Sequence, residues 1–530
     1  MHGMQKTRGD EPDVSVIVAV YNTMPYLTEC LTSLVEQSIG TDRIEIVAVD
    51  DGSTDGSSKE LQRFAERYPD VFTVVRQENS GGPAAPSNLA LDLARGRYVF
   101  FVGADDHLGA EALERLVAAA DRLGSDIVLG KMVGVGGRNG RRPVFEDPRE
   151  HVTLFDSKLP WALSNTKLFR RELIERHQLR YPTDLKVFSD QPFTLEACFH
   201  AEDRIAVLAD YDYYYAVKRA DSGNMTYRYR RDDRLHATAA IMAVTERLVP
   251  PGPQRDAVHL RHCTWELNWT FHDGFVDAPR DEQERAVAAL GPLVRRHLND
   301  RVMRRLDPGR TLCMRLAERG QLDAIVAVLR TDPRDGGSGP ATVVDGDRAY
   351  AAYPCFRDPE LALPDAWFDI TGAARERFAK QAFTPAVLRW GDTHLEIETR
   401  STLPDLAAFG TGAVRAETAL KRPGGQRLRS YDAEVSADDG DPRGCVARLR
   451  LPLEDLFPAK EAPWHEWEVR LVAQALGVRK AIPLGPPRDT VPGPRRHRLR
   501  PYRIAARAAD GAALVTVEPL PVRQLLRTRD

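Results

Sequence analysis

A chain of 530 residues, 42% hydrophobic and 28% charged, is long enough for about three domains with sizeable cores. Its formal charge of −3 excludes a nucleic-acid binder acting through net charge and leaves anionic partners to local basic patches. Six cysteines (Cys30, Cys198, Cys263, Cys313, Cys355, Cys445) are scattered without disulfide or zinc spacing, which predicts reduced, buried thiols in a cytoplasmic protein.

Three apolar runs dominate the first hundred residues. They are Val14 to Val20, followed by Tyr21; Ile46 to Val49, followed by Asp50 and Asp51; and Tyr98 to Val102, followed by Asp105 and Asp106. Continuous β-branched and aromatic runs of this length read as strands buried on both faces of a parallel sheet. Ligands bind at the carboxyl ends of such strands, so Tyr21 and the two aspartate pairs are predicted to converge on one crevice. Four carboxylates in one crevice call for a hard divalent cation that shares its shell with phosphate oxygens. Helical spacing over 25–35 and 60–65 completes βαβ units. A strand at 73–76 then enters a loop, Asn79 to Asn88, whose glycines let backbone N–H groups approach a phosphate, with a helix expected from near Leu89. Asp51, Ser53, Asp55 and Gly56 match the start of a calcium loop, but Gln62 stands where its bidentate glutamate belongs and a strand precedes it.

In order and spacing, VAVYN, AVDDGSTDGS, NSGGPAAPSN and GADDH resemble the nucleotide-binding half of the family 2 glycosyltransferases. The resemblance implies α/β architecture of the GT-A type, a Rossmann-like, mostly parallel sheet. It implies that Ala19 and Tyr21 flank the uracil of a UDP-sugar, that Asp51 accepts from the uracil N3, and that Asn79 and Asp105 also contact the nucleotide. A carboxylate accepting from an imide and a ring stacking on a base are chemically suited to those roles. Asp105 and Asp106 would hold Mg²⁺ or Mn²⁺. Two departures stand out: Ser87 replaces an arginine, leaving Arg76 or Lys131 to contact the diphosphate, and Gly103 replaces an aspartate.

Further along, 127–132 reads as one strand, Gly134 to Arg142 as a mobile loop, and 161–170 as part of the acceptor-side half. At Ser189-Asp190-Gln191 the resemblance sharpens to the N-acetylglucosaminyltransferases of poly(ribitol phosphate) wall teichoic acid, which carry Glu-Asp-Gln. A positioned carboxylate must take the proton of an acceptor hydroxyl, and Asp190 is the expected base, at a strand end after Val187 and Phe188. Asp184, Asp210 and Asp212 are the alternatives. Lys218, Arg219, Arg228 and Arg231 are the predicted acceptor-binding residues, because guanidinium groups pair well with phosphate.

These readings divide the chain into a catalytic domain at 1–230 (nucleotide-sugar half 13–130, acceptor half 131–230), a helical linker region at 231–335 and β-sandwich domains at 336–530. Trp265 and Trp269, one helical turn apart, are predicted to lie in the core of the helical part. The implied function is inverting, metal-dependent transfer from a UDP-sugar to an anionic polymer or glycan, with a non-catalytic GT-A scaffold or a carbohydrate-binding protein as the alternative. No nucleic acid is expected as a partner. The polar N-terminus and the lack of a spanning apolar run limit any membrane association to a peripheral one at the inner face. The resemblance further implies homo-oligomers, trimers in particular, assembled through the C-terminal part.

Overall fold

The computed structural model describes residues 11–220, 230–272, 274–332, 339–380, 383–403, 406–410, 412–420, 429–438, 441–457, 465–485, 495–497, 500–509 and 512–521. The chain forms two compact units, Met1–Ile325 and Val326–Asp530.

The first unit begins with β1 (Val14–Val20), α1 (Tyr26–Val35), β2 (Ile44–Asp50), α2 (Ser57–Arg67), β3 (Phe72–Arg76), α3 (Ala84–Leu93) and β4 (Tyr98–Gly103). β5 (His107–Leu108), α4 (Ala112–Leu123), β6 (Ile127–Gly130), β7 (Met132–Val135), β8 (Leu168–Arg170), α5 (Arg171–Arg176), α6 (Asp190–Ala201), β9 (Ile205–Leu208) and β10 (Tyr214–Val217) follow. The main sheet runs β3-β2-β1-β4-β8-β6-β9 and is parallel except where β8 meets β4 and β6. Alternation along β1 explains the unbroken apolar run: Val14, Val16, Val18 and Val20 enter one core with α1 and α4, and Ile17 enters the other with Val47, Val49 and Phe101. Both faces being buried, neither tolerates a polar side chain without a partner. Ser15 has one, its hydroxyl donating to Glu45.

The predicted strand at 127–132 is in fact two. β6 stays in the main sheet, while β7 joins β5 and β10 in a second, three-stranded sheet, β5-β10-β7. The helix expected near Leu89 begins at Ala84. A helical region follows, with α7 (Arg231–Leu248), α8 (Pro253–His262), a π-helical turn at Cys263–Leu267, α9 (Arg280–His297), α10 (Asp300–Met303), α11 (Pro308–Glu318) and α12 (Leu322–Thr331). Among the described residues, no helix is long and apolar enough to cross a membrane.

The second unit is antiparallel along its ladders. A four-stranded sheet (387–390, 394–401, 441–452, 434–438) and a seven-stranded sheet share one core, to which Leu395, Ile397 and Leu449 contribute from one side and Val414, Val469 and Val515 from the other. All six cysteines are buried thiols outside any disulfide.

Candidate active site

Register places the predicted donor residues at one edge. Ala19 is paired with Gly103 on β4 and Val49 on β2, so Tyr21, Asp51 and Asp105 leave neighbouring strand ends together. Tyr21 is 44% exposed there, and Asn22 turns the chain with a left-handed backbone (φ 52°) that asparagine tolerates. Ala19 is partly exposed below it.

The aspartate pairs divide their labour, and only part of the four carboxylates faces the crevice, Asp50 and Asp106 being turned inward. Asp50 turns inward and accepts from Ser53 N at 2.9 Å and from the Ser58 hydroxyl. Asp51 is buried and serves the loop: Oδ1 accepts from Gln77 Nε2 at 2.6 Å and Ser80 N at 3.0 Å, and Oδ2 from the Ser80 hydroxyl at 3.0 Å. Asn79 Nδ2 donates to Asp51 O at 2.9 Å, and a Cβ at Gly52 would lie 2.9 Å from Asn79 N, so only glycine permits this closeness. At the far end of the loop, Asn88 holds both backbone groups of Tyr181, accepting from its N–H and donating to its carbonyl at 2.9 Å each.

Asp106 is likewise inward and buried. Oδ1 accepts from Val217 N at 2.8 Å and Arg138 at 3.1 Å, and Oδ2 accepts from the Tyr214 hydroxyl at 2.6 Å. Burial and the neighbouring Asp105 raise its pKa to about 6 against the pull of Arg138 and Tyr214. Both oxygens therefore already accept from protein donors, and joining Asp105 at a metal would require Asp106 to share or release one of them. Space at Gly103 is tight: a Cβ there would sit 2.8 Å from Asp106 Oδ2 and 3.3 Å from the Tyr214 hydroxyl. Asp105 is half-buried at the crevice edge. Among the described residues no group of three or more His, Cys, Asp or Glu could hold an ion alone. One carboxylate with phosphate oxygens still fits Mg²⁺ or Mn²⁺, which bind through few protein ligands when a nucleotide supplies the rest.

Asp190 lies further along the chain in the same unit. It does not end a strand as expected but opens α6. The preceding Phe188 has φ 56°, a strained conformation for a bulky residue of the sort that collects at functional sites. Phe193, one turn on, packs on Phe101 of β4 at 5.7 Å and stacks on Tyr181 at 4.5 Å, which ties the start of α6 to the donor half. Burial raises the Asp190 carboxyl to about 6, opposed by Lys167, by backbone N–H groups including that of Asn165, and by Arg261. Lys167 is itself buried, donating to Ala162 O at 2.6 Å and to Ser164 O, and burial lowers it to about 8. The alternative carboxylates are engaged elsewhere. Asp184 meets His236 at 3.2 Å, Asp210 accepts from the Tyr213 hydroxyl at 2.8 Å, and Asp212 pairs with Lys131 at 2.7 Å.

The basic residues scatter. Lys218 is exposed, whereas Arg219 is buried against the Tyr26 ring at 5.5 Å. Arg231 does not face an acceptor groove. Its guanidinium donates to Thr270 O and His272 O and pairs with Glu282, so it fastens the helical region. Arg228 lies outside the described residues. Arg76 is drawn to Asp50 at 3.5 Å.

Residues 15–179 match the family model described as Glycosyl transferase family 2, and residues 233–329 match the Glycosyl transferase TarS linker domain. The crystal structure of Staphylococcus aureus TarS 1–349 in complex with UDP-GlcNAc is 30% identical and superposes with a TM-score of 0.57, over 64% of this chain and 97% of that one. The chain belongs to the family 2 glycosyltransferases. Among curated relatives of this transferase chain, a poly(ribitol-phosphate) beta-glucosyltransferase of Bacillus spizizenii is 41% identical over 216 residues, 41% of this chain and 34% of that protein. Poly(ribitol-phosphate) beta-N-acetylglucosaminyltransferase TarS of S. aureus is 33% identical over 282 residues, 53% of this chain and 49% of that protein. The matches thus span a third to a half of these relatives' length. A longer S. aureus TarS structure, 22% identical, shares the fold over 97% of this chain and 86% of that one with a TM-score of 0.58.

Sequence reasoning missed two elements of this family 2 site. Arg138 comes from the loop expected to be mobile. Gly134 lets that loop fold back, since a Cβ there would lie 1.7 Å from Arg138 O, and Arg138 then bridges Asp106 and Val217 O. Arg261 is the second, pairing with buried Glu266 at 2.5 Å and donating to Gln191 Oε1 at 3.2 Å. The glycine pair at 136–137 was the available signal for the first; for the second there was none.

Proposed function

We propose that the chain is an inverting glycosyltransferase that moves N-acetylglucosamine or a related hexose from a UDP-sugar to a hydroxyl of an anionic polymer of the poly(ribitol phosphate) type. The observation that carries this reading is a buried carboxylate, Asp190, raised to about 6 at the start of a helix that packs Phe193 on Phe101 of β4, in a chain akin to a transferase solved with UDP-GlcNAc. An α-linked donor attacked from the face opposite UDP needs one base and no enzyme nucleophile. In this scheme Tyr21 stacks on the uracil, with Ala19 beneath it. Asp51 shapes the Asn79–Pro83 loop, and its contact with the base requires Ser80 or Gln77 to give way. Asp105 would hold Mg²⁺ or Mn²⁺, which when bound offsets negative charge on the leaving diphosphate. Asp190 takes the proton of the acceptor hydroxyl as the bond to the sugar forms. Residues after Pro340 are proposed to assemble the chain into homo-oligomers, their antiparallel sheets forming a compact unit apart from the candidate site. The enzyme is proposed to work at the inner membrane face, associated peripherally.

The test is a donor screen by UDP release with and without poly(ribitol phosphate), followed by linkage analysis of the product. A β-linked sugar on the polymer is the expected result. No polymer labelling with any UDP-sugar would overturn the reading.

A further inference from the structure

Trp265 and Trp269 contradict the expectation that they are core: they are 42% and 41% exposed. They are two of five large apolar side chains that the described residues leave so open, and Tyr21 of the donor edge is another. Trp265 lies on the π-helical turn Cys263–Leu267, a rare form that is frequent at functional sites. With Thr264, Asn268 and His272, the two indoles line an open groove of about 460 Å³, within the range of ligand sites. No carboxylate lines it, and the Arg234 guanidinium lies over the Trp269 ring at 5.1 Å. The nearest acidic residues of α7 face other cations, Asp232 toward Arg285 at 3.5 Å and Asp233 toward Lys186 at 3.7 Å.

A relay of buried side chains links the turn that carries Trp265 to the start of α6. Glu266, next to Trp265, is buried on Arg261, and Arg261 donates to Gln191, the neighbour of Asp190. Two rings at i and i+4 share one helix face, about one 5.4 Å turn apart. That spacing suits a flexible chain whose C–H faces stack on indole and whose phosphates lie near a guanidinium.

We propose that Trp265 and Trp269, with Asn268, His272 and Arg234, form a second acceptor subsite that holds units of the poly(ribitol phosphate) chain remote from the reacting hydroxyl. This rests on the transfer reaction proposed above. The subsite adds binding energy for a long acceptor and takes no part in the chemistry.

The experiment compares the full chain with Trp265→Ala, Trp269→Ala and the double variant. Long poly(ribitol phosphate) and an acceptor of one or two ribitol phosphate units are assayed, alongside UDP-GlcNAc hydrolysis without acceptor. KM for the long polymer should rise on the order of tenfold per ring, as loss of a stacked aromatic predicts, with kcat little changed. KM for the short acceptor and the hydrolysis rate should stay at the wild-type values, and Trp→Phe variants should recover most of the long-chain affinity. Polymer added without donor should quench tryptophan fluorescence in the wild type and lose that effect in the double variant. Unchanged KM for the long polymer overturns the proposal. Equal losses on long and short acceptors overturn it too, because they mark a structural defect. A shift in oligomeric state overturns it in favour of an interface between copies. A wild-type chain that labels no polymer at all overturns the underlying reaction instead, and this subsite with it.

Discussion

The pH profile of transfer offers a direct probe of Asp190. Burial lifts its carboxyl from 3.8 to about 6. At 1.36 kcal/mol per unit this is a cost of about 3 kcal/mol for the charged form relative to a free aspartate. A base works only when deprotonated, so activity must be lost as pH falls through the folded-state value. With a value of about 6, the ionised fraction is about nine-tenths at pH 7, half at pH 6 and one-tenth at pH 5. The perturbation is therefore twofold: titrate the wild type from pH 5 to 8, and repeat with Asp190→Asn, which keeps the shape but not the basicity. Initial rates of UDP release at limiting polymer give kcat/KM, with donor affinity measured in parallel. The wild type should lose roughly tenfold between pH 7 and pH 5, and the variant should fall at least about a hundredfold at pH 7 and lose the acid limb. UDP-GlcNAc affinity should barely move. A flat wild-type profile, or an acid limb that persists in Asp190→Asn, refutes the assignment and returns the role to Asp184, Asp210 or Asp212.

Other expectations follow from the same geometry. Lys167→Met removes the largest charge that holds Asp190 down, so the acid limb should move above pH 6; a limb that stays put or moves lower counts against that influence. Chelation by EDTA, or Asp105→Asn, should abolish UDP-sugar binding measured by calorimetry, with Mg²⁺ restoring it only in the wild type; full activity in EDTA would end the metal proposal. Gly103→Asp, which brings back the residue usual in the family, should lower the melting temperature through a loss of about 1–3 kcal/mol, because its Cβ meets Asp106 at 2.8 Å. A melting temperature at or above wild type would show that the Asp106–Tyr214 pair yields easily. A chain truncated after Asp332 should keep UDP-sugar hydrolysis and elute as a smaller oligomer, whereas unchanged assembly would put the interface in the remaining part.

The donor half was legible because its signals are contiguous. Each strand is a single apolar run, and each polar residue that matters follows its own strand at once, as Tyr21 follows β1 and Asp51 follows β2. Side-chain direction was not legible. Asp50 and Asp51 are neighbours, and so are Asp105 and Asp106, yet the partners that claim Asp50 and Asp106 come from Ser53, Ser58, Arg138, Tyr214 and Val217. Most of those partners lie over thirty residues away. Trp265 and Trp269 misled for a different reason. Helical spacing reports that two residues share a face and leaves open whether that face turns inward, and here it is exposed. Asp190 was found by resemblance; its setting at a helix start, behind a strained Phe188, leaves no periodicity to read.

The segment from Asn79 to Asn88 is fastened at both ends to different parts of the first unit: Asn79 and Ser80 hang on Asp51, and Asn88 grips the backbone of Tyr181. Between these fixings, Gly82 lies against the backbone at Lys186, where a Cβ would come within 3.4 Å. Those ten residues consequently act as a gauge block. They fix how far the nucleotide edge stands from the stretch leading to Asp190, whatever sugar or polymer is handled there. Side chains along the crevice are free to diverge and retune what is bound, while a single inserted or deleted residue in the block would mis-space the two halves together. Within such a framework, substrate preference can drift by substitution, and length is the quantity that must be conserved.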